Sequence, residues 1–400
     1  MTERLYRDDP YRTTFESKVV RRFPEGEKIG IVLEETCFYP ASGGQHCDLG
    51  TLGGVAVEDV RQEGGEIVHV LASDPGGDRL AGTLDWARRY DHMQQHSGQH
   101  VLSQSFLRVL GLETLSAHLG TDVSTVELPA EKVTRADLDR VEREANRVVF
   151  ECRPIRAAWM SPDEAVGRGI RKVPEREGRL RVVEVKEYDL SACGGTHCRS
   201  TGEVGLIKIG RTERIRRRTR VEFLCGGRAL RDYQNRWRWL EDAALLVGRH
   251  SRDLSGEVRR LIDEVSRRTK DVARLEKDLL GYRAREILET AVPVGGVRKI
   301  LWASEDMTPE GLAALAGHLV AQPGVVALLG LRAEKGHLVA ARSEDIPVDM
   351  GRVLRESLSR SGGRGGGKPA FARGGVDADR LDAALEDLGR TVEEVLSDGA

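Results

Sequence analysis

Between Arg231 and Leu288 the chain has almost no helix breaker. Along it Leu254, Val258, Leu261, Val265, Arg268, Val272, Leu275, Leu279 and Tyr282 recur at 4-3-4-3 spacing. That period brings apolar side chains onto one face of a long helix, whereas a strand would send alternate residues to opposite faces. The seam has one polar interruption, Arg268. It predicts either a long amphipathic helix packed on its own chain or a coiled-coil spacer, between chains or as an antiparallel hairpin. Such an element holds apart the segments on its two sides. The 400 residues are therefore read as several domains, in line with about 150 residues per domain.

The flanking segments carry different patterns. Residues 1–90 hold short apolar runs (Lys28 to Leu33, Gly54 to Val60, Glu66 to Leu71) between glycine-rich turns, which predicts a small β-barrel or sandwich. Helical spacing predicts helices over Arg89 to Leu110, ended by Gly111, and over Arg135 to Phe150 with a stripe of Leu138, Val141, Ala145, Val148 and Val149. Leu115 to Leu128, Leu180 to Val185, Gly202 to Ile209 and Arg220 to Leu224 read as strands. Pro293 to Gly296 closes the spacer. A last α/β unit carries helices at Pro309 to Ala321, Met350 to Leu358 and Asp377 to about Leu396, with a glycine-dense loop from Ser361 to Gly375. The expectation is an α+β multidomain chain: a barrel-like domain 1–90, an α+β domain 91–230, a helical spacer 231–292 and a glycine-rich α/β domain 293–400.

Two residue pairs point to chemistry. His96 and His100 lie four apart on the predicted helix, so both imidazoles share a face one turn apart. Cys193 and His197 form a second pair in Ser-Ala-Cys-Gly-Gly-Thr-His-Cys, where the glycines allow a tight turn. Three nitrogens and one sulfur suit one Zn²⁺ per chain. Six cysteines in a chain with no signal segment at its N-terminus argue for metal or catalysis over a disulfide framework, and for a cytoplasmic address. A full set of four ligands fits a structural ion; a catalytic ion needs an open position or a ligand that loosens. Both remain open, and a metal-free Cys193/His197 thiol hydrolase is disfavoured by the short spacing. Gln45 and His46 sit in a glycine turn, Ser116 and His118 alternate along a predicted strand, and His92 is read as preceding the histidine helix.

With 62 Lys+Arg against 64 Asp+Glu, net charge neither supports nor excludes a polyanion partner, so local distribution decides. No apolar run approaches the about 20 residues of a membrane helix. Lys208 to Arg220 concentrates Lys208, Arg211, Arg214, Arg216, Arg217, Arg218 and Arg220, with Tyr233, Trp237 and Trp239 beyond it. That is the footprint of a nucleic-acid surface. The glycine-dense loop is no P-loop, since Pro369 follows Lys368. Its amides with Arg364, Lys368 and Arg373 are expected to form an anion nest.

The segments Thr36 to Gln45 with Asp48 and Gly50, Gln95 to His100, Leu190 to His197 with Thr201-Gly202-Glu203, and Val221 to Gly226 resemble the editing domain of alanyl-tRNA synthetase. The tail from Ser361 to Gly375 resembles the DHHA1 domain that this synthetase shares with DHH-type phosphoesterases. The whole looks like the long, freestanding (AlaX-type) alanyl-tRNA editing proteins. The resemblance implies His96, His100, Cys193 and His197 as zinc ligands, with Gln45 bordering the editing pocket. It implies a substrate of tRNA(Ala) mischarged with Ser or Gly. No aminoacylation domain precedes Met1 and no aspartate-rich phosphoesterase domain is present, so neither of those activities is expected. The family's Thr or Gln that reads the serine hydroxyl falls near Ser116 and Ala117, which do not match it. Gln45, Ser116 and His118 are the candidate catalytic residues, and a homodimer through the spacer or the C-terminal domain is a candidate assembly.

Overall fold

Alternating burial turns one face inward along Thr14–Glu25 (β1), Val55–Glu63 (β4) and Arg79–Leu84 (β6), whereas the apolar runs Lys28–Leu33 (β2) and Glu66–Leu71 (β5) are buried on both faces; the short Gly50–Leu52 (β3) buries Leu52. In the structure, a computed structural model that describes residues 1–172, 178–293 and 296–398, these strands pair antiparallel in the closed order β1-β2-β5-β4-β3-β6. Phe15, Ile31, Leu33, Phe38, Leu52, Val60, Ile67 and Leu71 fill the interior.

Asp85 caps the next element through its side chain, and Gly111, at φ 68°, ends it. This helix, Trp86–Leu110 (α1), starts before His92 and so contains it, correcting its expected place ahead of the helix. The segment after it is not one strand but a hairpin, Ser116–Leu119 (β7) and Ser124–Leu128 (β8). Arg135–Phe150 (α2) buries the predicted stripe of Leu138, Val141, Ala145, Val148 and Val149. Ile155–Met160 (β9), the short helix Pro162–Gly167 (α3), Leu180–Val185 (β10) and Asp189–Ala192 (β11) come next, with β9-β10-β11 forming a small antiparallel sheet. Gly202 to Ile209 is not a single strand: a 3-10 turn spans Thr201–Val204, and the strand runs Ile207–Ile215 (β12). With Arg218–Cys225 (β13) it makes the sheet β12-β13-β8-β7. Helices α1 and α2 pack on this sheet through Val101, Leu102, Phe106, Val126, Val221 and Phe223.

The long helical stretch is not continuous. Gly226–Leu246 (α4) ends just before Gly248, which sits at φ 65°, and a second helix runs Leu254–Thr290 (α5). A side chain at Gly248 would be strained there, so this glycine sets the break. The chain divides at this point into two units, Met1–Leu246 and Val247–Ala400. Residues 294 and 295, within the expected closing turn, lie outside the described residues. In the second unit Arg298–Ser304 (β14), Val325–Leu331 (β15), Lys335–Arg342 (β16), Arg364–Lys368 (β17) and Phe371–Asp377 (β18) form the sheet β14-β15-β16-β18-β17. Pro309–Val320 (α6), Met350–Arg360 (α7) and Leu381–Asp398 (α8) complete it.

The expected glycine loop is thus the β17–β18 hairpin. Its glycines serve packing: a Cβ on Gly365 would come within 2.6 Å of Leu358 Cδ1 on α7, and one on Gly367 within 2.5 Å of Ala372 Cα. Many of its amides are spent in the β17–β18 ladder instead of lying open as a nest. No helix among the described residues is long and apolar enough to cross a membrane.

Candidate metal centre

His96 and His100 share a face of α1, and the turn after β11 brings Cys193 and His197 against them. The ligand atoms of all four lie within 4.8 Å of one another. Glycine at 195 makes this possible, because a Cβ there would overlap the His96 ring. Gly98 does the same for α1, where a Cβ would overlap Cys225 Sγ on β13.

Each imidazole is oriented by a bond at its outer nitrogen. His96 Nδ1–H donates to Gln45 Oε1 at 2.8 Å, and His100 Nδ1–H donates to Asp189 Oδ2 at 3.1 Å. His197 Nδ1 lies 3.3 Å from Ser97 Oγ. These contacts leave the three Nε2 atoms for the Cys193 side. Cys193 Sγ lies 3.3 Å from Nε2 of His96 and 3.3 Å from Nε2 of His197, and accepts a bond from Gly195 N–H. Zinc bound tetrahedrally, with Zn–S near 2.3 Å and Zn–N near 2.0 Å, separates S and N by about 3.5 Å. His100 Nε2 is buried with no hydrogen-bond partner. A buried imidazole nitrogen without a partner, beside a thiol and two more inward nitrogens, fits a divalent ion.

The electrostatics agree with the donor set. Burial disfavours a Cys193 thiolate, yet His96, His197 and His100 hold its pKa well below the usual thiol range. Burial pushes His197 down to about 3, leaving it neutral. For His100 burial also opposes charge, but the bond to Asp189 and the nearby Cys193 and Asp189 charges outweigh it and raise the pKa to about 9. A metal ion would compete with that proton for the inward nitrogen.

Beside the tetrad opens a cavity of about 620 Å³, reached by His96, His100 and Cys193. Gln99, Thr114, Ser116, Ser191 and Arg171 give it a polar lining. Of the sequence candidates, Ser116 lines this cavity. His118 does not; its ring lies 6.2 Å from that of His46, which in turn is 6.1 Å from His92. Gln45 is 2% exposed with both amide ends bonded, Nε2 to Thr196 Oγ1 at 2.9 Å, so it acts on His96 and not on the cavity. Sequence reasoning missed Gln99, Asp189 and Ser97. Gln99 could have been found from helical spacing, since 96, 99, 100 and 103 share a face; its Nε2 donates to Ser103 Oγ. Asp189 and Ser97 carry no local signal.

The basic segment forms the β12–β13 hairpin. Lys208 pairs with Glu142, Arg214 with Glu131, and Arg218 and Arg220 with Glu127. Arg211, Arg216 and Arg217 are exposed, and Arg216 holds the hairpin turn at φ 56°. In the second unit Arg364, Lys368 and Arg373 are exposed on the β17–β18 hairpin.

A closed barrel, an α+β layer with a His₃Cys tetrad beside a polar cavity, and a second sheet unit define a multidomain α+β protein with four side chains that could hold a metal ion. Residues 180–221 match the "Threonyl and Alanyl tRNA synthetase second additional domain" and residues 292–394 the "DHHA1 domain". The chain is 30% identical to the alanyl-tRNA editing protein AlaX-L of Pyrococcus horikoshii, over 97% of this chain and 98% of that one. It is 32% identical to the alanine–tRNA ligase of Pyrococcus abyssi, spanning 43% of that protein. A solved structure, the C-Ala domain of Aquifex aeolicus alanyl-tRNA synthetase, matches 26% of this chain at 28% identity with a TM-score of 0.24, too low to bear on the fold. The chain belongs to the alanyl-tRNA editing family.

Proposed function

We propose that the chain is a zinc-dependent deacylase that removes serine or glycine from mischarged tRNA(Ala). The observation that carries this reading is the tetrad of inward donors opening onto a polar cavity. Held by His96, His100, Cys193 and His197, Zn²⁺ would supply a Lewis acid beside the ester. The chain's own residues do the rest. Gln45, Asp189 and Ser97 fix the three rings, so the donors need no reorganisation on binding. Gln99 and Ser116 offer hydrogen bonds to a serine hydroxyl that alanine would leave unmet, which protects correctly charged tRNA. A second sieve is needed because an apolar synthetic site separates such near-isosteres by only about 10²-fold.

The tRNA body lies along Arg211, Arg216 and Arg217, with the paired arginines of the same hairpin freed as phosphates replace Glu127 and Glu131. Arg364, Lys368 and Arg373 contact it from the C-terminal domain. In this reading the working parts are residues 1–90, 91–230, 231–292 and 293–400, in the cytoplasm, and the exposed seam of α5 joins two copies. A second reading, an RNA-binding protein with a structural zinc, draws support from the complete set of four protein ligands. Metal analysis with deacylation of Ser-, Gly- and Ala-tRNA(Ala), with and without chelator, separates them. The hydrolase clears the first two, spares the third and stops with chelator. The binding protein clears none.

A further inference from the structure

Three histidines outside the tetrad come together from distant stretches of the first unit: His46 on the barrel loop, His92 on α1 and His118 on β7. The His46 ring lies 6.1 Å from that of His92 and 6.2 Å from that of His118. The backbone explains the meeting. Gly44 sits at φ 82°, and a Cβ there would come within 3.1 Å of the Ala117 carbonyl oxygen. Without one the loop approaches β7 closely, and Leu119 N–H donates to the Gly44 carbonyl at 3.1 Å. Arg88 Nε donates to the Cys47 carbonyl at 2.9 Å and so fastens the start of α1 to the same loop. His92 follows Arg88 by one helical turn.

What sets the three apart is that nothing bonds them. Buried His69 has both ring nitrogens met, by Thr36 Oγ1 at 2.8 Å and by the Ile31 carbonyl at 3.1 Å. The tetrad imidazoles are each bonded at Nδ1. His92 is only 4% exposed, yet its Nδ1 has no hydrogen-bond partner. Among the described residues no hydrogen bond reaches His46 or His118 either. A buried imidazole nitrogen left unmet is costly and calls for a partner.

The donor set says which partner. Three imidazoles with no thiolate and no carboxylate select a late first-row divalent ion, such as Zn²⁺, Ni²⁺ or Co²⁺, over Mg²⁺ or Ca²⁺. Burial, with the Arg88 charge next, lowers the pKa of His46 and takes that of His92 to about 4. Both are therefore neutral at neutral pH, the form that ligates. Arg228, which also faces them, is matched by Asp91, with Nε 2.9 Å from Oδ1. Arg88 opposes a cation, and the rings stand wider than the 4.4 to 5.4 Å of the tetrad. Both features make this the weaker of the two sites. His118 is exposed and His46 half-buried, so both side chains can turn onto an ion.

We propose that His46, His92 and His118 form a second metal site, which takes one late first-row divalent ion and clamps the barrel loop to β7. Gln45, which orients His96, directly precedes His46. Ser116, which lines the cavity beside the tetrad, lies two residues before His118 on the same strand. An ion held by His46 and His118 thus steadies both. The site does not depend on the deacylase reading.

The test adds Co²⁺ to the full chain as purified, with equilibrium dialysis, metal analysis and visible absorption as readouts. The wild type is expected to take up one Co²⁺ per chain beyond the ion in the tetrad. That Co²⁺ should show d–d bands without thiolate-to-cobalt charge transfer, because Cys193 belongs to the other site. The melting temperature should climb with free Co²⁺. His118→Ala and His46→Ala should each lose the second equivalent and the climb, with the tetrad ion retained. His118 is exposed, so unfolding of His118→Ala without Co²⁺ should match the wild type. A wild type that takes up no second ion would overturn the site. So would a second ion that persists in the His46→Ala/His118→Ala double variant, which would mark adventitious binding elsewhere. A wild type whose only Co²⁺ lacks the thiolate band, and loses it in His118→Ala, would uphold this site and defeat the tetrad reading.

Discussion

Helix α1 buries Arg89, His92, Gln95, His96, Ser97, Gln99, His100, Ser103 and Ser105, whereas α5 leaves Val258, Leu261, Val265, Val272, Leu275, Leu279 and Tyr282 exposed by 36% to 67%. One helix hides polar groups and the other shows apolar ones. The difference is one of partners. Buried polar groups are tolerable when hydrogen-bonded, and those of α1 are served by segments far along the chain. Gln95 is held at both amide ends by the Cys225 backbone, Arg89 by Asp48, His96 by Gln45 and His100 by Asp189. On α5 only the C-terminal turns, around Leu280, Ala284, Ile287 and Leu288, pack against α6. Its heptad seam has a complementary surface nowhere among the described residues of its own unit. Polar burial marks where chemistry has been assembled, and apolar exposure marks where a partner is expected.

The largest effect expected from breaking the comparison is on α1. Arg89 and Asp48 are both fully buried, with Arg89 Nε 3.0 Å from Asp48 Oδ1 and Arg89 Nη1 donating to the Pro10 carbonyl at 2.8 Å. Arg89→Ala strands the Asp48 carboxylate and should cost about 3–5 kcal/mol, read as a lower urea midpoint. A loss under about 1 kcal/mol would mean that α1's polar burial is not what fastens it to the barrel loop. Next in size is Asp189→Asn, which keeps a hydrogen-bond acceptor for His100 but removes the charge. Metal affinity, measured by competition with a chromophoric chelator, should fall about 10- to 100-fold. Unchanged affinity would show that a neutral acceptor suffices at His100 and that the Asp189 charge adds nothing to the ligand.

How much of this could be read from the chain depends on distance along it. The pairs His96/His100 and Cys193/His197 are local patterns, four residues apart, and so are the stripes of α2 and α5. The groups that orient the ligands are not: Gln45 lies 51 residues from His96, Asp189 89 from His100, and Ser97 100 from His197. Tertiary folding alone joins them, and an isolated Asp or Ser carries no mark of it. Gln45 was visible as a turn residue and its role at His96 was not. Alternation along β7 put Ser116 and His118 on one face, yet only Ser116 reaches the cavity, since the hairpin directs His118 to His46. Glycine misled twice. Gly248 stood within a near-continuous helical pattern and broke it, and the run near 365 spoke for a loop when its missing side chains let α7 lie on a hairpin.

The smallest effect on folding, and the sharpest on the comparison, is expected at α5. Val265 and Leu275 are 63% and 57% exposed, on the seam and away from the turns that pack on α6. Replacing both by Lys in the full chain places like charges where two copies would meet, and should convert a dimer to a monomer in sedimentation velocity. Because neither side chain is buried within its own unit, the unfolding free energy per chain at low concentration should change by no more than about 0.5 kcal/mol. A wild-type chain that is monomeric, together with a double variant destabilised by more than about 1 kcal/mol, would show that another part of the same chain covers the seam. The contrast with α1 would then vanish, since both helices would be served from within one molecule.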